Sequence, residues 1–232
     1  MRAAAITITP TMTTTTTEAV RRLLTWLSPA FPTGGFAYSH GLEWAIEAGD
    51  PNDAASLETW LNDILLNGAG RSDAILLRHA HEAAPDALPA LAALGAALAF
   101  GAERRLETLA QGAAFIRAAA PWSGPRLAAL PRDATPYPVA VGALAADNAI
   151  AADLALAAYV QNFAAALVSA AVRLIPLGQT AGLAVLAALD PTLAALIKET
   201  RAATLDDLGG ACFSADIAAL RHETQHTRLF RT

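Results

Sequence analysis

The sequence has 232 residues, 54% hydrophobic and 16% charged, enough apolar material for one continuous helical core. Its abundant alanine favours helix over strand, because alanine gives up no side-chain entropy on folding. A net charge of -5 leaves no basic footprint for nucleic acid or anionic lipid, and the single cysteine, Cys212, excludes an internal disulfide or a site built on several thiolates.

Residues 1–17 carry threonines where an export signal would hold its apolar segment, so they read as a disordered tail and the protein as cytoplasmic. A helical pattern over 18–27 must end at Pro29 and Pro32. A loop then leads to a second helix starting at Ser39 or His40, with Leu42, Ala45 and Ile46 on one face and a stop at Gly49-Asp50-Pro51. Asp53 caps a third, with Leu57, Trp60, Leu61, Ile64 and Leu65 along one stripe. Ser72 is the expected cap of a fourth, and 88–101 and 103–120 read as two more. Five prolines from Pro121 to Pro138 predict an irregular connection.

Helix resumes at Val139 and continues through a long apolar stretch to Ile175, where Pro176 stops it. Segments 180–189 and 192–204 follow, and Ser214 is the expected cap of the last helix. Within the long stretch, residues 154–172 lack any formal charge, yet Gln161 and Asn162 at the midpoint would leave amides unpaired in a bilayer. A buried central helix fits better than a membrane span. No segment sustains a period of two. The expected architecture is all-α, a single compact helical bundle of about ten helices over 18–225, followed by a docking tail over 226–232.

His222-Glu223-Thr224-Gln225-His226 matches the H-E-x-x-H pattern of zinc peptidases, which places two imidazoles on one helix face. Six residues follow His226, and none is His, Asp, Glu or Cys, so the usual downstream third ligand is missing. A zinc-dependent peptidase is therefore the minor alternative. His79 and His81, two apart, point to different sides of a helix and read as solvated or capping residues. Ser39-His40 lacks a nucleophile elbow, and the only lysine, Lys198, has no glycine-rich loop for nucleotide phosphates. The pattern assigns no catalytic residue, no metal ligand and no cofactor.

Three segments remain that suit contact. In the first, running from Pro32 to Glu43, Gly34, Gly35 and Gly41 permit positive φ and close approach, Phe36 and Tyr38 add interface-type aromatic surface, and Ser39 and Glu43 complete the motif. In the second, Arg173 closes a long apolar helix before Gly178 and Gln179, a position suited to capping its carbonyls. The third is Arg228-Leu229-Phe230-Arg231, read as a tail that cannot bury itself and orders on a partner.

Together and in this order, P-T-G-G-F-A-Y-S-H-G-L-E, R-L-I-P-L-G-Q and R-L-F-R-T resemble the UreF family of urease accessory proteins. Glu103-Arg104-Arg105-Leu106-Glu107-Thr108 with Gly112, and Tyr137-Pro138-Val139-Ala140 with Gly142, are similar to that family as well. The resemblance implies an all-α cytosolic homodimer that binds UreD (also called UreH) and through it engages the GTPase UreG. The implied work is nickel insertion into apo-urease, with GTP hydrolysed by the partner. It also assigns the tail to the UreD contact and the residues of the three segments to partner binding. Two departures stand out. His226 and Thr227 occupy the place of a Tyr-Ser pair before the ending, and Asp147-Asn148 stand where a glycine is expected.

Overall fold

The computed structural model describes residues 14–232. Among them are twelve α-helices and no strand: α1 (Thr16–Trp26), α2 (Leu42–Glu47), α3 (Ala54–Asn67), α4 (Ala69–Glu82), α5 (Leu88–Leu98), α6 (Gly101–Ala118), α7 (Pro125–Ala129), α8 (Tyr137–Asp147), α9 (Ala152–Leu174), α10 (Gly178–Ala188), α11 (Asp190–Glu199) and α12 (Phe213–His222). The protein is all-α. Two more helices appear than the pattern predicts: α7 forms inside the proline-rich connection, and the run from Val139 to Ile175 divides into α8 and α9.

The division has a local cause. Asn148 closes α8, Ala149 takes a left-handed φ of 53°, and the Ile150 N–H returns to the Ala145 carbonyl at 2.9 Å, a turn that satisfies the last carbonyls of a helix. Asp147 turns back to α7, where its carboxylate accepts the N–H groups of Gly124, Arg126 and Leu127 at 2.9 to 3.0 Å. Asp147-Asn148 thus does capping work, and Ala149 holds the left-handed position that a glycine would otherwise fill.

Other boundaries shift for equally local reasons. Of the tail expected over 1–17, residues 1–13 lie outside the described residues, while Thr15 caps α1 and Thr16 and Thr17 belong to it. α2 starts at Leu42, because His40 and Gly41 both take left-handed φ and cannot open a right-handed helix. Asp53 caps α3 as expected, in a reciprocal box with Ser56. α4 begins directly after Gly68, and the Ser72 hydroxyl donates to the Gly209 carbonyl instead of capping. Ser214 likewise lies inside α12, whose N-cap is Cys212.

α8 is the centre of the bundle. Residues 137–145 are all buried, with α4, α6, α7 and α9 around them. α4 crosses α8 so closely that a Cβ on Gly142 would lie 2.2 Å from the Leu77 carbonyl oxygen, so only glycine allows this approach. α9 packs against α1, α2, α3, α4, α8, α10 and α11 and is a core helix. The apolar run Gly178–Glu199 is broken at Leu189 into helices of 11 and 10 residues. Each spans about half of the ~30 Å hydrocarbon layer. A column of rings, Phe31, Phe115, Tyr137 and Tyr159, runs through the core with centroids 5.4 to 5.5 Å apart. α2 and α12 close one end, α12 packing on α2 and α6.

Candidate functional site

Residues of the three contact segments, at positions 32–43, 173–179 and 228–231, meet at the end of the bundle closed by α2 and α12. Between Pro32 and Leu42 the chain makes two left-handed bends. One is at Gly34, with φ 75°, and the other at His40 and Gly41, with φ 60° and 77°. Gly35 does not share this geometry; it opens a 3-10 turn over Gly35–Ala37. Gly41 is required twice over, since a Cβ there would sit 2.6 Å from the backbone nitrogen of Ala219 on α12. The bends leave the Phe36 side chain 76% exposed and bury Tyr38, Ser39 and Glu43.

Arg173 does more than cap α9. Its Nε donates to the Ser169 carbonyl at 3.2 Å and its Nη2 to the Phe36 carbonyl at 3.0 Å, and its guanidinium stands 4.3 Å above the Phe230 ring. One side chain therefore joins all three segments. Gly178 and Gln179 are exposed at the start of α10, and no hydrogen bond among the described residues ties either to this cluster.

The ending differs from the expectation of a tail unable to bury itself. Phe230 is 3% exposed and Thr232 1%. The Arg231 N–H donates to the Ala37 carbonyl at 2.8 Å, and the Ser39 N–H and hydroxyl both donate to the Thr232 carbonyl, at 2.7 and 2.5 Å. The Leu229 and Phe230 N–H groups donate to the Glu43 carboxylate at 2.6 and 2.9 Å. The segment packs back because Glu43 on α2 and the Ala37 carbonyl accept its backbone N–H groups, while Glu103 and Glu107 on α6 accept from the side chains of Arg228 and Thr232. Its side chains alternate: Phe230 and Thr232 point inward, while Leu229, 64% exposed, and Arg231 point outward.

Beneath the segment lies a layer of buried charge. His222 is fully buried, with Nδ1 2.6 Å from Glu103 Oε2 and Nε2 3.2 Å from Glu43 Oε2. Arg228 donates to Glu103 Oε1 at 2.7 Å, and Thr232 Oγ1 donates to Glu107 Oε2 at 3.1 Å. Arg104 pairs with Glu107 at 2.6 Å. Burial alone would raise the Glu107 carboxyl, but the Arg104 guanidinium and His40 outweigh it and hold it at about 2. Burial, aided by Arg104, pushes His40 down; its Nδ1 lies 3.7 Å from Glu107, too far for a hydrogen bond, and stays unpartnered. Burial likewise pushes Asp73 up to about 6, against Arg104 and the Tyr159 hydroxyl that donates to it at 2.6 Å. Asp73 and Arg104 line two cavities: one of 170 Å³ beneath Phe36 and Arg173, and one of 230 Å³ reaching His40 and Cys212.

The H-E-x-x-H residues are spent on this architecture. α12 ends at His222, so His226 is exposed beyond the helix and off the face it would need. Both His222 nitrogens face carboxylates, and Glu223 caps α6 by accepting the Ala102 N–H at 2.7 Å. These three residues do not form a zinc centre. His79 and His81 are half-buried on α4 and reach loop carbonyls, their Nε2 atoms 3.1 and 2.7 Å from the carbonyls of Ala203 and Ile150.

The family model for UreF matches residues 52–190. The chain is 52% identical over 221 residues to the urease accessory protein UreF of Bradyrhizobium sp. strain BTAi1, covering 92% of each. It is 51% identical over 222 residues to that of Rhodopseudomonas palustris strain TIE-1, again covering 92% of each. It belongs to the UreF family. The residue sets that carry the resemblance, Gly34 to Glu43, Arg173 and Arg228 to Arg231, are the ones the fold assembles at one end. Sequence reasoning left Glu103, Glu107, His222 and Thr232 out of this site. The available signal was the i, i+4 spacing of Glu103 and Glu107 on one face of a helix.

Proposed function

We propose that this protein is a urease maturation adaptor: a cytoplasmic homodimer that binds UreD (UreH), engages the GTPase UreG through that assembly, and supports GTP-dependent nickel insertion into apo-urease. It carries no catalytic role of its own in this reading; the partner hydrolyses GTP, and nickel is cargo. The observation that carries the reading is the junction at Arg173, which brings Phe36 and Phe230 together. Around it, exposed Phe36, Leu229 and Arg231 offer the aromatic, aliphatic and arginine surface that binding hot spots use. Gly178 and Gln179, exposed at the start of α10, are a second contact of the same adaptor. The relatives named urease accessory proteins support the urease setting.

The test is coexpression with UreD, UreG and apo-urease, reading UreD capture and nickel-dependent urease activity. Removing 228–232 would also uncover Glu43 and Ser39, so the cleaner variant pairs Leu229→Ser with Arg231→Glu, which alters only outward side chains. Both readouts should fall. Capture and activation at wild-type levels would reject the docking surface.

A further inference from the structure

We infer that Glu43 is the positioning residue of this docking surface, holding residues 228–232 in the register that turns Leu229 and Arg231 outward beside Phe36. The inference rests on the docking reading above. Two successive backbone N–H groups converge on one carboxylate: Leu229 on Oε1 at 2.6 Å and Phe230 on Oε2 at 2.9 Å. Hydrogen bonds to a charged acceptor are among the stronger ones, and a pair of them fixes two consecutive peptide planes. Because burial alternates along the segment, with Phe230 and Thr232 inside and Leu229 and Arg231 outside, a slip of one residue would turn Leu229 inward and Phe230 outward.

The carboxylate is itself fixed. His222 stands against it on one side and against Glu103 on the other, and Glu103 takes Arg228 from the same segment. Ser39, four residues earlier, accepts the Glu43 N–H at 3.3 Å and donates its hydroxyl to the main-chain oxygen of Thr232. Ser39 and Glu43 thus hold the two ends of the segment. A glutamine at 43 would keep the shape but replace one acceptor oxygen with a donor facing a backbone N–H, and would remove the charge opposite His222.

The test uses the full chain and hydrogen exchange. In Glu43→Gln, the amides of Leu229 and Phe230 should exchange at least about tenfold faster while those of α4 and α8 hold their rates. Trypsin should cleave after Arg228 sooner, and UreD capture should fall in parallel. Glu43→Asp, which keeps the charge on a shorter arm, should restore part of both; it also serves should the glutamine variant not fold, with intermediate losses expected against wild type. Unchanged exchange at 229 and 230 overturns the inference, and so does faster exchange with undiminished capture. If the Leu229→Ser and Arg231→Glu pair leaves capture intact, the docking reading is what fails. If that pair abolishes capture and Glu43→Gln does not, the positioning role alone fails.

Discussion

Asp73 shows how a single residue ties the core to pH. Its carboxyl is buried beside Tyr159 and titrates at about 6, against 3.8 for an ordinary aspartate, so the folded state holds the proton more tightly than the unfolded chain. The stability this confers is complete below pH 3.8 and is lost as pH rises to about 6, at most roughly 3 kcal/mol. Glu107 works in the opposite sense: its folded carboxyl lies at about 2, so its contribution is present above 4.5 and is lost as pH falls towards 2. Asp73→Asn keeps an acceptor for the Tyr159 hydroxyl and removes the titration. Its urea midpoint should gain on wild type between about pH 4 and 6, measured as parallel unfolding curves. Parallel midpoints across that range would refute the assignment. Nothing at position 73 announces this in the sequence, because burial of an aspartate depends on which helices cover it.

At the scale of elements, α7 has five residues and depends on a neighbour for its existence. Asp147 at the end of α8 supplies three acceptor contacts to its first turn. Asp147→Ala should cost about 2 kcal/mol in chemical denaturation, and Asp147→Asn less, since the amide keeps one acceptor. Equal losses would show that the cap is not the cause. Most helices were legible because alanine and leucine at helical spacing, proline stops and the Asp53 cap act within a few residues. The division of 139–175 was not, because Ala149 has no intrinsic preference for the left-handed turn it makes. That turn is stabilised by Asp147 holding α7 and by Asn148, whose side-chain amide donates to the Trp122 carbonyl at 3.0 Å.

At the scale of the whole molecule, Arg173 is the point where a loop, the end of α9 and the ending meet. A lysine there keeps the charge but loses the planar fork that donates to two carbonyls while stacking on Phe230. Arg173→Lys should weaken UreD capture roughly three- to tenfold and speed exchange at Phe230, with the circular dichroism of the bundle unchanged. Capture at wild-type strength would show that the junction is incidental to docking.

By itself, the sequence determined the helical class, the approximate place of most helices and the three segments that carry the family resemblance, because composition, periodicity and motif order are local properties written in the chain. It could not decide that those segments are one site, nor that the ending lies folded against Glu43. Those outcomes depend on buried donors and acceptors contributed from positions up to 179 residues apart, such as Glu43, Glu103 and His222. Only when the bundle closes do these groups lose water together. At that point, pairing with one another and with the backbone of 229 and 230 becomes the way to avoid leaving charge unsatisfied.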